Sequence, residues 1–240
     1  MNLSRLPMKR ACNKRRHRSS IASLPKDLLV EVVASVASHS FIDLHNMKLC
    51  CRGFLDAAED KYVCKHVSLD KFPLIQWNPK EKELSFLKRC RESENMESLY
   101  REGLREYFSC SNGDGLGSLK NAAQKGHKEA KYVYGMILLC SKDDELRKEG
   151  IEHMRFLRKS KCIIRCRKNV KRLIKTMWKN NRMSARNRNP LCQWKSTCKG
   201  WAVKKGRWQL LDDEDDDIEL CEYCRWDLEL RFFYDLFNIH

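Results

Sequence analysis

Hydrophobic positions near the start of the chain recur with the period of an α-helix. Leu28, Val32 and Val36 follow one another at four-residue intervals, which predicts a helix with a wide apolar face. Pro25 and Asp27 suit the first turn of this helix, because proline fits the first helical position and a carboxylate complements the positive end of the helix dipole.

Two more short helices are predicted in the same part of the chain. One is capped by Ser40 and carries Phe41, Leu44 and Met47, and the next ends near Tyr62. Three helices of this length cannot bury all of their apolar surface alone. The remaining surface therefore predicts contact with a second polypeptide.

This segment resembles an F-box in its opening, middle and closing signatures. The signatures are Leu24-Pro25-x-Asp27-Leu28-Leu29-x-Glu31-Val32, then Leu44, then Leu49-Cys50-Cys51-Arg52-x-Phe54. The resemblance implies a three-helix motif that binds the Skp-type adaptor of cullin–RING ubiquitin ligases. The residues implied to form or support the adaptor-binding face are Leu24, Pro25, Leu28, Leu29, Val32, Leu44, Leu49, Arg52 and Phe54. An unrelated three-helix core is the alternative.

An internal repeat follows in the middle of the chain. The segments that begin at Asn95 and His127 align at an offset of 32, and those that begin at Leu119 and His153 align at an offset of 34. A period of this length with two helices per unit predicts a helical solenoid.

The stretch Leu119–Leu138 resembles a Sel-like repeat, a relative of the tetratricopeptide class. Ala122, Ala123 and Ala130 would let antiparallel helices approach closely, and Gly126 would supply the turn between them. The resemblance implies that the repeats bind proteins through a concave face. A plain helical hairpin packed against the first module is the alternative.

Thirteen cysteines favour thiols or metal ligands over a disulfide framework, since no apolar export signal accompanies them. Residues 201–211 predict a β-hairpin between two cysteine pairs, and the apolar spacing after the second pair predicts a helix. This arrangement resembles a treble-clef zinc module. The candidate ligands of one structural zinc ion are Cys192, Cys198, Cys221 and Cys224. Unligated structural thiols and a redox dithiol remain alternatives.

Charge is unevenly distributed along a chain whose formal net charge is +16. The stretch from Arg155 to Arg207 holds 19 basic and no acidic residues, whereas Asp212–Glu219 holds seven acidic residues. This asymmetry predicts a polyanionic partner or neutralisation within the chain, with a solvated basic face as the alternative. Nucleic-acid binding is the alternative function, because four tryptophans are interleaved with these cations or border them: Trp178, Trp194, Trp201 and Trp208.

Several classes of protein are disfavoured. The longest apolar run, Tyr132 to Cys140, has nine residues, whereas a membrane helix needs about 20. A secreted toxin and a fully disordered chain are also disfavoured. An enzyme has little support, because the seven histidines show no nucleophile or metal-dyad spacing and no glycine-rich phosphate loop is present. The basic cluster Lys9–Arg18 predicts a nuclear import signal, a flexible arm or organelle targeting, and we expect the nucleus and/or the cytoplasm.

Along most of its length the chain resembles plant proteins that combine an F-box, Sel-like repeats and a C-terminal Cys-rich segment. The predicted fold is mainly α, with a small C-terminal α+β module made of a hairpin plus a helix. The predicted units are a disordered basic arm (1–22), an F-box (23–66), a linker ending in a short helix (67–94), Sel-like helical repeats (95–180) and a Cys-rich module (190–240). The resemblance implies a non-catalytic, substrate-recognition subunit of a Skp–cullin–F-box ubiquitin ligase, which binds an adaptor, a cullin scaffold and an unknown target protein.

Overall fold

The computed structural model of the chain describes residues 21, 24–75, 78, 80–109, 114–177, 190–192, 198 and 220–236. Within these residues the regular secondary structure is helical, which confirms the mainly α prediction. The helices are α1 (Lys26–His39), α2 (Phe41–Cys50), α3 (Arg52–Ala58), α4 (Lys61–His66), α5 (Glu81–Glu92), α6 (Met96–Phe108), α7 (Gly115–Gln124), α8 (Lys128–Leu139), α9 (Asp144–Lys159), α10 (Ile163–Ile174) and α11 (Glu222–Leu236).

Some predictions fall on parts of the chain that the structure does not describe. These are the basic arm up to residue 20, the hairpin at 201–211, the four tryptophans that accompany the basic residues, and the acidic run at 212–219.

The N-terminal segment contains four helices where three are expected. The predicted third helix is two helices, α3 and α4, because Asp60 interrupts it and begins the next one. The Asp60 side chain accepts a hydrogen bond from the Tyr62 backbone N–H at 2.8 Å, which caps α4. Ser40 caps α2 as predicted, since its hydroxyl accepts a hydrogen bond from the Asp43 backbone N–H at 3.1 Å.

Helices α1 to α5 share one hydrophobic core, called here the N-terminal core. Helix α1 packs against α2, α3 and α4, and α4 packs against α5. The buried residues of the N-terminal core are Val30, Val33, Ala34, Ala37, Leu44, Ala57, Ala58, Val63, Cys64, Val67, Leu69 and Cys90. Helix α5 is the short helix predicted at the end of the linker, and it contributes Cys90 to this core.

Helices α6 to α10 form the repeat region, in which consecutive helices are joined by short connections. Backbones approach closely at two crossings. A Cβ atom on Gly103 would lie 2.9 Å from the Gly115 carbonyl oxygen, where α6 meets α7. A Cβ atom on Gly150 would lie 2.9 Å from the Gly135 carbonyl oxygen, where α8 meets α9. The second crossing therefore repeats the first.

Helices α5, α7 and α9 end in the same type of turn. Glu94, Gly126 and Lys161 adopt the left-handed conformation, with φ of 56°, 97° and 49°. In each turn the next backbone N–H donates a hydrogen bond to the carbonyl five residues earlier, at 3.0–3.1 Å. These turns confirm the internal repeat and the predicted role of Gly126.

The C-terminal helix α11 packs against the repeat region through a buried ion pair. The Arg167 guanidinium donates two hydrogen bonds to the Glu229 carboxylate, at 3.0 and 2.5 Å. The Tyr132 hydroxyl donates a third, at 2.6 Å. All three side chains are buried, so the helix predicted after Cys221 belongs to the same core as α6 to α10.

None of the helices in the described ranges combines the length and the apolar character needed to cross a bilayer.

Candidate functional site: an apolar helical face and a four-cysteine cluster

Helix α1 carries apolar side chains on two sides. The inward side consists of the buried residues Val30, Val33, Ala34 and Ala37. On the outward side Leu28 and Val32, one helical turn apart, are 49% and 37% exposed. A helix that is apolar on its solvent side as well has surface available for a partner.

The next two helices extend this exposed apolar surface. Leu49, at the end of α2, is 73% exposed, and Ile42 and Leu55 are also exposed. A Cβ atom on Gly53 would lie 3.8 Å from the Leu29 side chain, so α3 lies beside α1 at this point. The large apolar residues exposed on α1 to α3 and in the turn before them are Ile21, Leu24, Leu28, Val32, Ile42, Leu49 and Leu55.

The residues predicted for the adaptor-binding face have different environments. Six of them are exposed: Leu24, Pro25, Leu28, Val32, Leu49 and Arg52. Leu29 and Phe54 are partly buried and pack against the N-terminal core. Leu44 is buried, so it supports the helices from inside. Ile42 and Leu55 are exposed apolar residues that the sequence analysis did not assign to this face, because each has apolar neighbours in its helix and periodicity does not single it out.

The four cysteines predicted as metal ligands lie together in the structure. Their sulfur atoms are all within 4.8 Å of one another. The Cys192 and Cys221 sulfurs are 3.7 Å apart, and the Cys198 and Cys224 sulfurs are 3.5 Å apart. These distances are far longer than the 2.0–2.1 Å of a disulfide bond, so the cluster consists of four thiols.

Local structure orients the second cysteine pair. The Cys224 backbone N–H donates a hydrogen bond to the Cys221 sulfur at 3.3 Å, which folds the pair around the first turn of α11. Burial raises the pKa of the Cys221 thiol. The positive end of the helix dipole acts in the opposite direction, since it favours a thiolate at this position.

An aspartate of α11 holds the first pair. The Asp227 carboxylate accepts hydrogen bonds from the backbone N–H groups of Leu191 and Cys192, at 2.7 and 3.2 Å. A residue of the helix that carries Cys224 thus fixes the backbone that carries Cys192. Such support around the ligands is typical of structural metal sites.

The donor set fits one tetrahedral metal ion. Zinc–thiolate bonds of about 2.3 Å place the sulfurs of a tetrahedral site about 3.8 Å apart. The Cys192–Cys221 and Cys198–Cys224 sulfur distances approach this value. An ion held by all four sulfurs would have no open coordination position, which is the arrangement of a structural metal site.

An ion pair on the surface also ties the start of α11 to the repeat region. The Arg155 guanidinium donates hydrogen bonds to both carboxylate oxygens of Glu222, at 2.6 and 2.7 Å. These hydrogen bonds lower the pKa of Glu222. The cysteine cluster is therefore positioned relative to α9 by the residue that follows Cys221.

Comparison with known proteins identifies the class of the repeats. The family described as "Plant tetratrico peptide repeats" matches residues 69–175. This range contains α5 to α10, which confirms a repeat of the tetratricopeptide class. No solved structure matches the chain.

Three similar proteins of Arabidopsis thaliana are named as F-box proteins. The putative F-box protein At1g67623 is 41% identical over 119 residues, which are 49% of this chain and 40% of that protein. The F-box protein At2g35280 is 36% identical over 125 residues, which are 51% of this chain and 75% of that protein. The F-box protein At1g67340 is 27% identical over 118 residues, which are 48% of this chain and 31% of that protein.

The alignments differ in how much of each relative they include. The chain spans less than half the length of the first and third relatives, but three quarters of the second at 36% identity. The chain therefore belongs to the family of plant F-box proteins with helical repeats.

Proposed function

We propose that this chain is the substrate-recognition subunit of a Skp–cullin–F-box ubiquitin ligase. The observation that carries the proposal is the outward side of α1, where Leu28 and Val32 are exposed on a helix whose opposite side is already buried. The F-box proteins among its relatives indicate the class of partner, a Skp-type adaptor that in turn binds a cullin scaffold. Residues 23–66 form the adaptor-binding module.

Binding to the adaptor is driven by the burial of these exposed apolar side chains. Full burial of a leucine or valine side chain stabilises by about 1.5–3 kcal/mol. A few such residues dominate the binding energy of a typical interface. Leu28 and Leu49 are the most exposed of the predicted contact residues that are apolar, and they therefore carry most of the binding energy.

The chain itself performs no chemistry in this function. The repeats and the C-terminal module hold a target protein close to the ubiquitin-charged enzyme, which raises the effective concentration of the two reactants. This function requires no residue of the chain to act as a base or as a nucleophile. Affinity capture followed by mass spectrometry would test the adaptor and identify candidate targets together.

A charge placed on the outward side of α1 tests the adaptor contact. Leu28→Lys should reduce capture of a co-expressed Skp-type adaptor at least tenfold, because it places a charge in an apolar interface, and a tenfold loss corresponds to about 1.4 kcal/mol. The matched control is Leu146→Lys, which changes a leucine that is 37% exposed on α9. Undiminished capture by Leu28→Lys, with an unchanged melting temperature, would refute the assignment.

The four-cysteine cluster binds one structural zinc ion in this proposal. Cys192, Cys198, Cys221 and Cys224 bring four sulfur donors together without a disulfide, and zinc prefers a closed tetrahedral thiolate site of this kind. The ion would fasten residues 192 and 198 to the start of α11. Unligated thiols and a redox dithiol are the competing outcomes of its test.

Metal analysis of the purified chain tests the zinc site. We expect one zinc per chain, lost in Cys224→Ser and retained in Cys140→Ser, a cysteine outside the cluster. Thiol titration of the native chain should show the four cluster sulfurs becoming reactive only after a chelator is added. A purified, folded chain without stoichiometric zinc would remove the zinc from the proposal.

The basic cluster at Lys9–Arg18 directs the chain to the nucleus, in addition to the cytoplasm, in this proposal. Alanine substitution of Lys14, Arg15 and Arg16 in a fluorescent fusion should shift the protein towards the cytoplasm. An unchanged distribution would leave the cluster as a flexible arm.

Nucleic-acid binding is the second candidate function, and the charge of the described residues 155–177 favours it. This stretch contains ten basic and no acidic residues, and Lys168, Lys171 and Arg172 of α10 are exposed. Phosphate contacts would give a steep negative slope of log K against log salt concentration in a filter-binding assay. Lys168→Ala with Lys171→Ala should reduce that slope by about two, and binding that does not depend on salt would exclude this function.

A further inference from the structure

A pocket of about 400 Å³ lies on the repeat region, apart from the adaptor face and the cysteine cluster. Its walls come from the segment before α5, from α6, from the start of α8 and from α10. Phe72, Leu74 and Leu173 give it apolar walls, and its charged and polar residues come from all four of these parts of the chain. Its volume falls in the range of pockets that hold a small ligand or one to two side chains.

Glu129 in this pocket is a carboxylate with no lysine or arginine partner among the described residues. Its side chain is only 18% exposed and accepts a hydrogen bond from the Asn169 amide at 2.8 Å. Within the described residues no lysine or arginine nitrogen lies within 4 Å of it. His127 Nδ1 is 3.7 Å away, but this nitrogen accepts the Ala130 backbone N–H at 3.1 Å and therefore donates no hydrogen bond to Glu129.

The other enclosed carboxylate of the pocket differs in this respect. Glu97 accepts hydrogen bonds from Arg101 at 2.5 Å and from His127 Nε2 at 2.6 Å. Its charge is therefore compensated within the protein. An enclosed carboxylate that lacks such compensation is costly, so Glu129 is the group in this pocket that an incoming cation would stabilise.

A second observation comes from Tyr100, which lines the same pocket. Tyr100 is 1% exposed, and its hydroxyl is enclosed without a hydrogen-bond partner among the described residues. Its ring stacks on His127, with the ring centroids 4.5 Å apart. An unpaired buried hydroxyl of this kind costs about 1–3 kcal/mol, which a ligand or a water that arrives with it would recover.

The balance of donors and acceptors defines the chemistry of the ligand. At the enclosed part of the pocket the described residues leave three oxygens free to accept hydrogen bonds: a Glu129 oxygen, the Asn169 amide oxygen and the Tyr100 hydroxyl oxygen. The exposed charges of the lining, Asp70 and Arg172, have opposite signs and offset each other. A ligand that donates several hydrogen bonds and carries a positive charge therefore fits, and an anionic ligand does not.

We infer that this pocket binds the basic side chain of a lysine or an arginine from a peptide segment of the target protein. The charged end lies against Glu129 and Asn169, and one of its N–H groups donates to the Tyr100 hydroxyl oxygen, directly or through one water. The aliphatic stem lies along Phe72, Leu74 and Leu173. As a site for a ubiquitination target the pocket rests on the proposed function, whereas its preference for a basic side chain does not.

Capped single amino acids test the inference on the full chain. The probes are Nα-acetyl-lysine N-methylamide and the arginine equivalent, titrated by saturation-transfer NMR. The matched controls are the norleucine probe, which keeps the aliphatic stem without the ammonium, and the glutamate probe. We expect saturable, millimolar binding of the basic probes and at least tenfold weaker binding of both controls. Equal binding of the norleucine probe, or preference for the glutamate probe, would overturn the inference.

Variants locate the binding in the pocket. Glu129→Gln should lower the affinity for the lysine probe at least tenfold. Glu152→Gln, which changes an exposed glutamate of α9, should leave that affinity unchanged. Tyr100→Phe should weaken it severalfold without lowering the unfolding midpoint, because the hydroxyl that it removes has no partner in the protein. Unchanged affinity in Glu129→Gln, or clear destabilisation in Tyr100→Phe, would contradict the assignment.

Adaptor capture with the same samples separates this inference from the proposed function. Glu129→Gln should capture the Skp-type adaptor as well as the wild-type chain does. A chain that captures the adaptor but binds no basic probe overturns the pocket assignment alone. A chain that binds the basic probe but captures no adaptor overturns the proposed function alone.

Discussion

Among the described residues, those in the turns after α5, α7 and α9 adopt the left-handed backbone conformation, and only Gly126 of the three is a glycine. Gly126 has φ of 97° and no heavy atom within 4 Å of the position of an added Cβ. Lys161 has φ of 49° in the equivalent turn before α10. A side chain in this conformation costs about 1–2 kcal/mol, so the same turn is relaxed at Gly126 and strained at Lys161.

Exchanging side chains at these two turns should change stability in opposite directions. Gly126→Ala should lower the free energy of unfolding by about 1 kcal/mol through backbone strain alone, because its methyl group meets no neighbour. Lys161→Gly should raise it by about 0.5–1 kcal/mol. Urea unfolding of both variants measures the effect, and destabilisation by both would contradict the shared turn geometry.

Glu97 supplies a pH-dependent part of the stability. Burial opposes its ionisation, but the hydrogen bonds of His127 and Arg101 and the charge of Arg101 outweigh burial and lower the pKa of Glu97 to about 2, from 4.5. A carboxyl whose pKa is lower in the folded state stabilises the fold above its unfolded pKa. This contribution should therefore be complete above about pH 4.5 and be lost as the pH falls towards 2.

A glutamine at this position tests the linkage. Glu97→Gln should remove up to about 3 kcal/mol at pH 7 and flatten the dependence of unfolding free energy on pH between about 4.5 and 2. Urea midpoints measured across this range give the comparison. The exposed Glu152→Gln should keep the wild-type profile, and a Glu97→Gln chain with that same profile would show that Glu97 does not titrate as described.

At the level of helices, α11 is held in place by charges that are buried with it. Arg167, Glu229 and Tyr132 connect α10, α11 and α8. The hydrogen bonds and charges of Glu229 outweigh burial and raise the pKa of Arg167 above its usual value. Removal of one partner leaves the other charge buried and unpaired, which typically costs 3–5 kcal/mol.

The double variant distinguishes the buried pair from ordinary packing. Arg167→Met should destabilise by about 3–5 kcal/mol, and adding Glu229→Met should recover at least half of that loss, because the unpaired charge is then gone. The Tyr132 hydroxyl, which then lacks its acceptor, accounts for the remainder. Urea unfolding of the single and double variants measures the coupling. If the losses of unfolding free energy in the two single variants simply add in the double variant, the two residues do not act as a pair.

The sequence predicts a feature well when the residues that determine it are close together in the chain. The helices, the turn at Gly126 and the repeat depend on neighbouring residues, and the four cysteines are marked by their residue type. The break at Asp60 was not predicted, because a capping aspartate can also lie on the surface of a continuous helix. Arg167 was missed because it lies among nine other cations between residues 155 and 177, and its partner is 62 residues away.

In the molecule as a whole, one asparagine joins the two hydrophobic cores. The N-terminal core and the core of α6 to α11 are separate clusters of buried residues. Asn95, 2% exposed, lies between them. Its amide nitrogen donates hydrogen bonds to the carbonyls of Cys64 and Val67, at 3.0 and 2.9 Å. Its amide oxygen accepts the backbone N–H groups of Glu97 and Ser98, which caps α6.

Asn95 uses both its amide nitrogen as a donor and its amide oxygen as an acceptor. A carboxylate at this position can replace only the acceptor. Asn95→Asp keeps the acceptor that caps α6, but it loses both donors and places a negative oxygen against two buried carbonyls. We expect a loss of about 3 kcal/mol. We also expect the two cores to unfold separately, since the link between them is broken while each core remains intact. Urea unfolding followed by far-UV circular dichroism, with hydrogen exchange of α1 and of α8, would show this.

A second capping residue provides the control that isolates the link from the cap. Asp143 caps α9 by accepting the Glu145 backbone N–H at 2.9 Å and is exposed, so Asp143→Ala should cost only about 1 kcal/mol and leave unfolding cooperative. Asn95→Asp should cost more although its cap survives, because the lost interaction is the one between the cores. If Asn95→Asp instead unfolds in one cooperative step at the wild-type midpoint, the cores must be joined by other contacts, such as the ion pair of Arg91 and Glu102.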